Sequence, residues 1–101
     1  MAAYVIFCIT YVHDEERLAE YRRQVVPLLE ATPGVKFFAG PMPLTVEKGP
    51  PITYGVVVEC ADLETAKRWY YSEDYQRVAA IRHEASDGFA FIVESWTGPV
   101  H

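Results

Sequence analysis

The stretch Trp69-Tyr70-Tyr71-Ser72-Glu73-Asp74-Tyr75-Gln76 closes one helix and opens another. A serine hydroxyl followed by two carboxylates answers the unpaired N–H groups and the positive dipole end of a helix start. Downstream, Tyr75, Val78, Arg82 and Ala85 recur at i, i+3, i+7 and i+10. That spacing sets an arginine on the stripe that faces the core. A charge is costly there unless it has a partner. Arg82, with Trp69, Tyr70 and Tyr75 around it, is therefore the first candidate for a site.

Working outward, Asp62 caps a short helix whose apolar residues are Leu63, Ala66 and Tyr70, and the helix begun at Ser72 runs from about Glu73 to Ala85. Gly88 reads as its C-terminal stop. Tyr54–Cys60 and Phe89–Trp96 are strands on either side, and Thr97–His101 is a tail. At the other end, Tyr4–Val12 (YVIFCITYV) is apolar on both alternating faces, the signature of a strand covered on both sides. Asp14-Glu15-Glu16 caps a helix with Leu18, Tyr21, Val25 and Leu28 on its stripe, and Pro27 is expected to kink it or restart its last turn. Thr32-Pro33-Gly34 ends that helix and Val35–Ala39 is the next strand. After the break at Gly40-Pro41-Met42-Pro43, Leu44–Glu47 reads as a bent edge strand, and Lys48–Pro51 as a turn.

The order is strand, helix, strand, strand, helix pair, strand, with no repeat and no linker. It predicts one α+β domain over residues 1–101, a ferredoxin-like four-stranded antiparallel sheet with its helices on one face. The second face of that sheet is too apolar to stay wet. Two copies packing sheet against sheet about a two-fold axis would cover it and make a dimeric α/β barrel.

With 14 acidic against 9 basic residues, the chain carries a net charge of −5 and has no basic field to attract phosphate backbones. Nucleic acid is excluded as a partner on that ground. No apolar run is long enough to span a bilayer, and the N-terminus has no cationic leader, so neither a membrane nor export is expected and the predicted location is cytoplasmic. Cys8 and Cys60 both fall in strand-like runs, outside any CxxC, and read as reduced structural residues. His13, His83 and His101 show no ligand spacing, so no metal site is predicted. The chain also lacks a GxSxG elbow, a P-loop and a GxGxxG fingerprint, which leaves serine-hydrolase, NTPase and dinucleotide readings without support and no cofactor expected.

Two readings stand for each candidate. Arg82 either binds a carboxylate, enolate or phenolate through its planar fork, or pairs structurally with Glu59, Asp87 or Glu94. Glu94, inside an apolar strand, is either a buried general base or a residue at the strand's wet end. His83 follows Arg82 and is a second candidate base or a rim residue. Tyr21, Tyr70 and Tyr75 contribute core area and bring hydroxyls that need partners. Trp69 is either a flat pocket wall or a seal at the dimer edge. Arg22-Arg23 is most simply a solvated helix face.

The opening AYVIF, the segment AEYRRQVVP (Ala19–Pro27) and above all AKRWYYSEDYQRVAAIRHEAS (Ala66–Ser86) followed by FIVES resemble domain-of-unknown-function family 1330. Positions matching its pattern are Tyr21, Arg22, Pro27, Gly34, Trp69, Tyr70, Ser72, Tyr75, Arg82 and Glu94. The resemblance implies a barrel dimer and kinship with cofactor-free oxygenases, isomerases, polyketide cyclases and haem-degrading enzymes. It does not imply one reaction, because the fold hosts many. The chain departs from the pattern after its second strand, where the family tends to show paired glycines around an arginine. Here the residues are Gly34-Val35, Lys36 and Ala39-Gly40-Pro41-Met42, which, if that arginine binds ligand in relatives, implies a changed substrate or a divergent role.

Together these readings lead to a homodimer that binds a small planar carbonyl- or carboxylate-bearing molecule between helices and sheet. Arg82, Glu94 and His83 are its candidate catalytic residues, and Tyr21, Trp69, Tyr70 and Tyr75 its ligand contacts. Cofactor-free isomerisation, cyclisation or oxidation in a biosynthetic or catabolic pathway is the expected chemistry. A non-catalytic ligand carrier, or an accessory subunit of another enzyme, is the alternative.

Overall fold

The computed structural model describes residues 1–96. Its elements are β1 (Ala3–Val12), α1 (Glu15–Glu30), β2 (Val35–Ala39), β3 (Tyr54–Cys60), α2 (Leu63–Tyr70), α3 (Glu73–Ala85) and β4 (Ser86–Glu94). The strands form one antiparallel sheet in the order β2-β3-β1-β4, the ferredoxin-like arrangement predicted from the element order. The tail at 97–101, with His101, lies outside the described residues.

The register explains the two-sided apolarity of β1. Ala3, Val5, Phe7 and Ile9 are buried beneath the helices, with Val5 opposite Val58 and Ile92 and Phe7 opposite Val56 and Ala90. Tyr4, Ile6 and Cys8 occupy the other face, opposite Val93, Phe91 and Phe89 of β4. This open face keeps Phe38, Phe89, Phe91 and Val93 exposed. On the covered face, Leu18, Tyr21, Val25 and Leu29 of α1 and Tyr75, Val78, Arg82 and Ala85 of α3 are buried.

Each helix starts where the side-chain chemistry said it would. The carboxylates of Asp14 and Asp62 accept from Arg17 N and Thr65 N at 3.0 and 2.7 Å. Ser72 is more than a cap. Its Oγ accepts from Tyr75 N at 3.2 Å and donates to the Trp69 carbonyl at 2.7 Å, joining the end of α2 to the start of α3.

Five local expectations change. Leu44–Glu47 forms no strand, because Pro41 and Pro43 lack donors and β2 already loses register between Phe37 and Ala39. α1 runs through Pro27 to Glu30 without a restart of its last turn, with that ring on the exposed side. Its stripe ends on Leu29, with Leu28 only half-buried. In α2, Trp69 rather than Tyr70 is fully buried; eight residues are too few for the pattern to separate neighbouring positions. Gly88 ends no helix. α3 passes directly into β4 at Ser86, and Gly88 lies in that strand opposite Ile9.

Candidate functional site

Three helices do not cover the whole inner face of the sheet. Between α1 and the β2–β3 edge they leave a cavity of about 400 Å³, within the range of small-molecule sites. Leu18, Val25, Leu29, Val58, Trp69 and Arg82 supply its buried floor and walls. Its opening is marked by the exposed lining residues Arg22, Phe37, Phe38, Gly40 and Pro41, with Tyr54 half-buried beside them.

Arg82 enters from α3 and is 4% exposed. Its guanidinium carbon stands 5.2 Å from the centre of the Phe7 ring and 5.8 Å from that of Tyr21. The structural alternative named three acids, and none of them holds it. Asp87 bonds His13 at 2.9 Å, Glu59 bonds Lys36 at 3.2 Å, and Glu94 is exposed. Arg82 Nε and Nη2 are buried without a hydrogen-bond partner. These two donors form one edge of the guanidinium, the edge that grips a carboxylate with two parallel bonds. Burial disfavours the cation, but the nearby phenol oxygens of Tyr75 and Tyr21 more than offset this, and its pKa is raised. The group is a permanent charge.

The indole N–H of Trp69 is a third buried donor without a partner, on a residue 4% exposed that also lines the cavity. The Ser72 junction fixes its place: Trp69 and Tyr75 stack with ring centroids 4.4 Å apart, and Phe7 meets Trp69 edge-on at 6.4 Å. Trp69 and Arg82, which carry these three buried and unpartnered donors, line this space, and no carboxylate or imidazole does among the described residues. Such a set calls for a ligand that brings acceptor oxygens.

The Tyr21 and Tyr75 hydroxyls are 2.9 Å apart. Tyr75 is wholly buried and lies behind the lining, whereas Tyr21 faces the cavity. A phenol has one proton to donate. Either hydroxyl can be the donor of this bond, and with Tyr75 as donor the Tyr21 proton is left for a ligand in the cavity. Burial raises the pKa of both, so both are protonated at neutral pH.

The other expected residues fall elsewhere. Tyr70 packs against Phe7, Tyr71 and Tyr75 and borders a smaller recess of about 270 Å³ beside β4. Glu94, expected as a buried acid, stands at the last rung of β4 opposite Ala3, where the strand runs out into solvent. His83 is exposed on α3 and outside the lining; desolvation and the Arg82 charge lower its pKa. Neither lines this cavity. The residues that sequence reasoning missed are Arg22, Tyr54, Phe37 and Phe38. For Arg22 a signal existed, because Leu18, Arg22, Val26 and Leu29 follow one another at helical spacing on the edge of the α1 stripe.

The fold recurs among solved structures. A dimeric ferredoxin-like protein of unknown function from Jannaschia sp. CCS1 matches at 16% identity and a TM-score of 0.78, over 94% of this chain and all of that one. A protein of unknown function from Rhodopseudomonas palustris matches at 13% and 0.73, over 96% of this chain and 84% of its own. SnoaB, a cofactor-independent oxygenase from Streptomyces nogalater, matches at 10% and 0.68, over 96% and 95%. No curated protein matches at a significant level. The model of one family, described as a domain of unknown function, matches residues 2–96, and this chain therefore belongs to that family, DUF1330.

Proposed function

We propose that the protein binds a small planar organic molecule bearing a carbonyl or carboxylate in the α1–sheet cavity. The observation that carries this reading is the buried guanidinium of Arg82, which lines that cavity with two donors unpartnered. The ligand's oxygens meet Arg82 Nε and Nη2 and the Trp69 indole N–H, the Tyr21 hydroxyl orients them, and the aromatic rings hold the flat body. Negative charge that develops on such an oxygen during isomerisation, cyclisation or cofactor-free oxidation is stabilised by the same donors. The likeness in fold to a cofactor-independent oxygenase supports this chemistry. Removal of Glu94 and His83 from the cavity favours the second reading, a ligand carrier or accessory subunit, because the described lining then holds no ordinary general base.

The test is a thermal-shift screen of aryl carboxylates, phenols and β-dicarbonyls. A ligand of the folded state raises the melting temperature, by about 2.7 kcal/mol of added stability at a hundred times its Kd. Arg82→Met is expected to abolish the shift given by a carboxylate. A shift that survives unchanged in that variant overturns the reading. Turnover of a bound carbonyl compound without added cofactor separates enzyme from carrier.

The homodimer belongs to the same proposal. The open face presents Phe89, Phe91 and Val93 of β4 to solvent, exposed apolar side chains of the kind that mark an interface, and related structures are described as dimeric. Placing a charge there with Phe91→Glu is expected to convert a dimer to a folded monomer in sedimentation. A wild-type chain that sediments as a monomer at micromolar concentration rules the dimer out.

A further inference from the structure

The cavity has a second arginine, which the proposed function does not use. Arg22 stands on α1 at the opening, and its guanidinium carbon lies 4.8 Å over the centre of the Tyr54 ring on β3. It makes no ion pair among the described residues, although Arg17 holds Glu84 at 3.1 Å and Arg23 holds Glu20 at 3.0 Å on the same helix. In a chain of net charge −5, carboxylates are plentiful, yet both arginines that line the cavity go without one. Stacking on Tyr54 fixes the Arg22 fork while leaving its N–H edges free, so a bound anion has less side-chain freedom to remove.

The two cations differ in depth. Arg82 is buried, and Arg22 is exposed at the rim. Most of the remaining lining is apolar, including Val25, Val26, Val56 and Phe7. A single carboxylate satisfies one end. Resting on the reading of Arg82 given above, we infer that the ligand is an organic dianion with an apolar body, one anionic group seated on Arg82 and a second held at the opening by Arg22. Arg22 is the specificity residue that separates such dianions from monoanions of equal shape. The surrounding negative charge of the protein repels both kinds of ligand, and the rim cation offsets that repulsion where the dianion enters.

The probes are 1,4-phenylenediacetate and the straight-chain α,ω-dicarboxylates from adipate to azelate, each compared with the monoacid of matching length, by calorimetry on the full chain. The best dianion is expected to bind about fivefold more tightly than its monoanion, the size of effect an accessible charge pair gives, and the advantage is expected to shrink from low to high salt. Arg22→Gln should remove that advantage, weakening the dianion about fivefold more than the monoanion, Arg22→Lys should keep part of it, and Arg23→Gln should keep all of it. Equal affinity for every dianion and monoanion pair, or an advantage that survives Arg22→Gln, overturns the inference. Arg82→Met distinguishes the two failures. If it abolishes monoanion binding while Arg22→Gln has no effect on selectivity, only the dianion assignment falls; if monoanions bind it normally, or if no probe binds the wild-type chain, the Arg82 reading falls and takes this inference with it.

Discussion

Gly88→Ala is expected to cost about 3 kcal/mol of stability, at the upper end of overpacking penalties, and to lower the melting temperature by roughly 15 °C for a domain of this size. The backbone of Gly88 takes no left-handed conformation, so the cost is one of space. A Cβ at this position would run into the carbonyl oxygen of Cys8 and stand 3.0 Å from the Ile9 Cα. Both atoms belong to the backbone of β1, the central strand, which is paired with β3 on one side and β4 on the other. Relief requires opening the β1–β4 ladder next to the irregularity between Ile9 and Tyr11. Gly55→Ala is the matched control. Gly55 faces Cys8 from the other side, and its added Cβ would meet only side-chain carbons at 3.8 and 4.0 Å. Urea unfolding should show a large fall in midpoint for the first variant and a change within about 1 kcal/mol for the second. Equal midpoints would show that β4 can shift at no cost.

Arg82→Met is expected to raise stability by about 1–3 kcal/mol while destroying the ligand site. Transfer of a guanidinium from water to a buried position without a carboxylate is expensive, and replacing buried charges by apolar residues of similar volume is often stabilising. Arg82 recovers part of that cost through the faces of Phe7 and Tyr21, interactions worth roughly 0.5–2 kcal/mol. A methionine keeps the unbranched stem against the same rings without the desolvation cost. The backbone carbonyl of residue 82 still accepts from Ser86 Oγ at 2.8 Å, so the α3–β4 junction is undisturbed. A variant that is more stable yet no longer shifts with a carboxylate is the pattern of a residue retained for function. A melting temperature that drops by several degrees would make the guanidinium a structural element of the core.

The strand and helix order could be read because α1 and α3 are long enough to state a helical period and the strands are rich in β-branched and aromatic residues. The placement of Arg82 on the buried stripe was legible for the same reason: i, i+3, i+7 and i+10 on a 13-residue helix leave little freedom. Helix starts were legible through the side chains of Asp14, Asp62 and Ser72. The exchange of Trp69 for Tyr70 marks the limit of that method, since one position on a short helix is a rotation of only about 100°. Glu94 and His83 take the solvent side of the alternatives that the sequence left open for each. His83 follows the buried Arg82, whereas Glu94 follows the exposed Val93, and neither strand alternation nor helical spacing tells where the covering helices stop.

The chain's order of residues determined the kind of protein this is: one sheet, helices on one face, apolar side chains on the second face, and an arginine facing inward. Those properties follow from local periods of two and 3.6 and from the cost of burying charge, which act over a few residues at a time. Only the tertiary structure decided that this arginine would meet a cavity rather than an acid. That outcome depends on the gap between α1 and the β2–β3 edge, on Glu59 and Asp87 being held by Lys36 and His13, and on Arg22 lying over Tyr54. Such facts are relations between residues far apart in the chain, and no period records them.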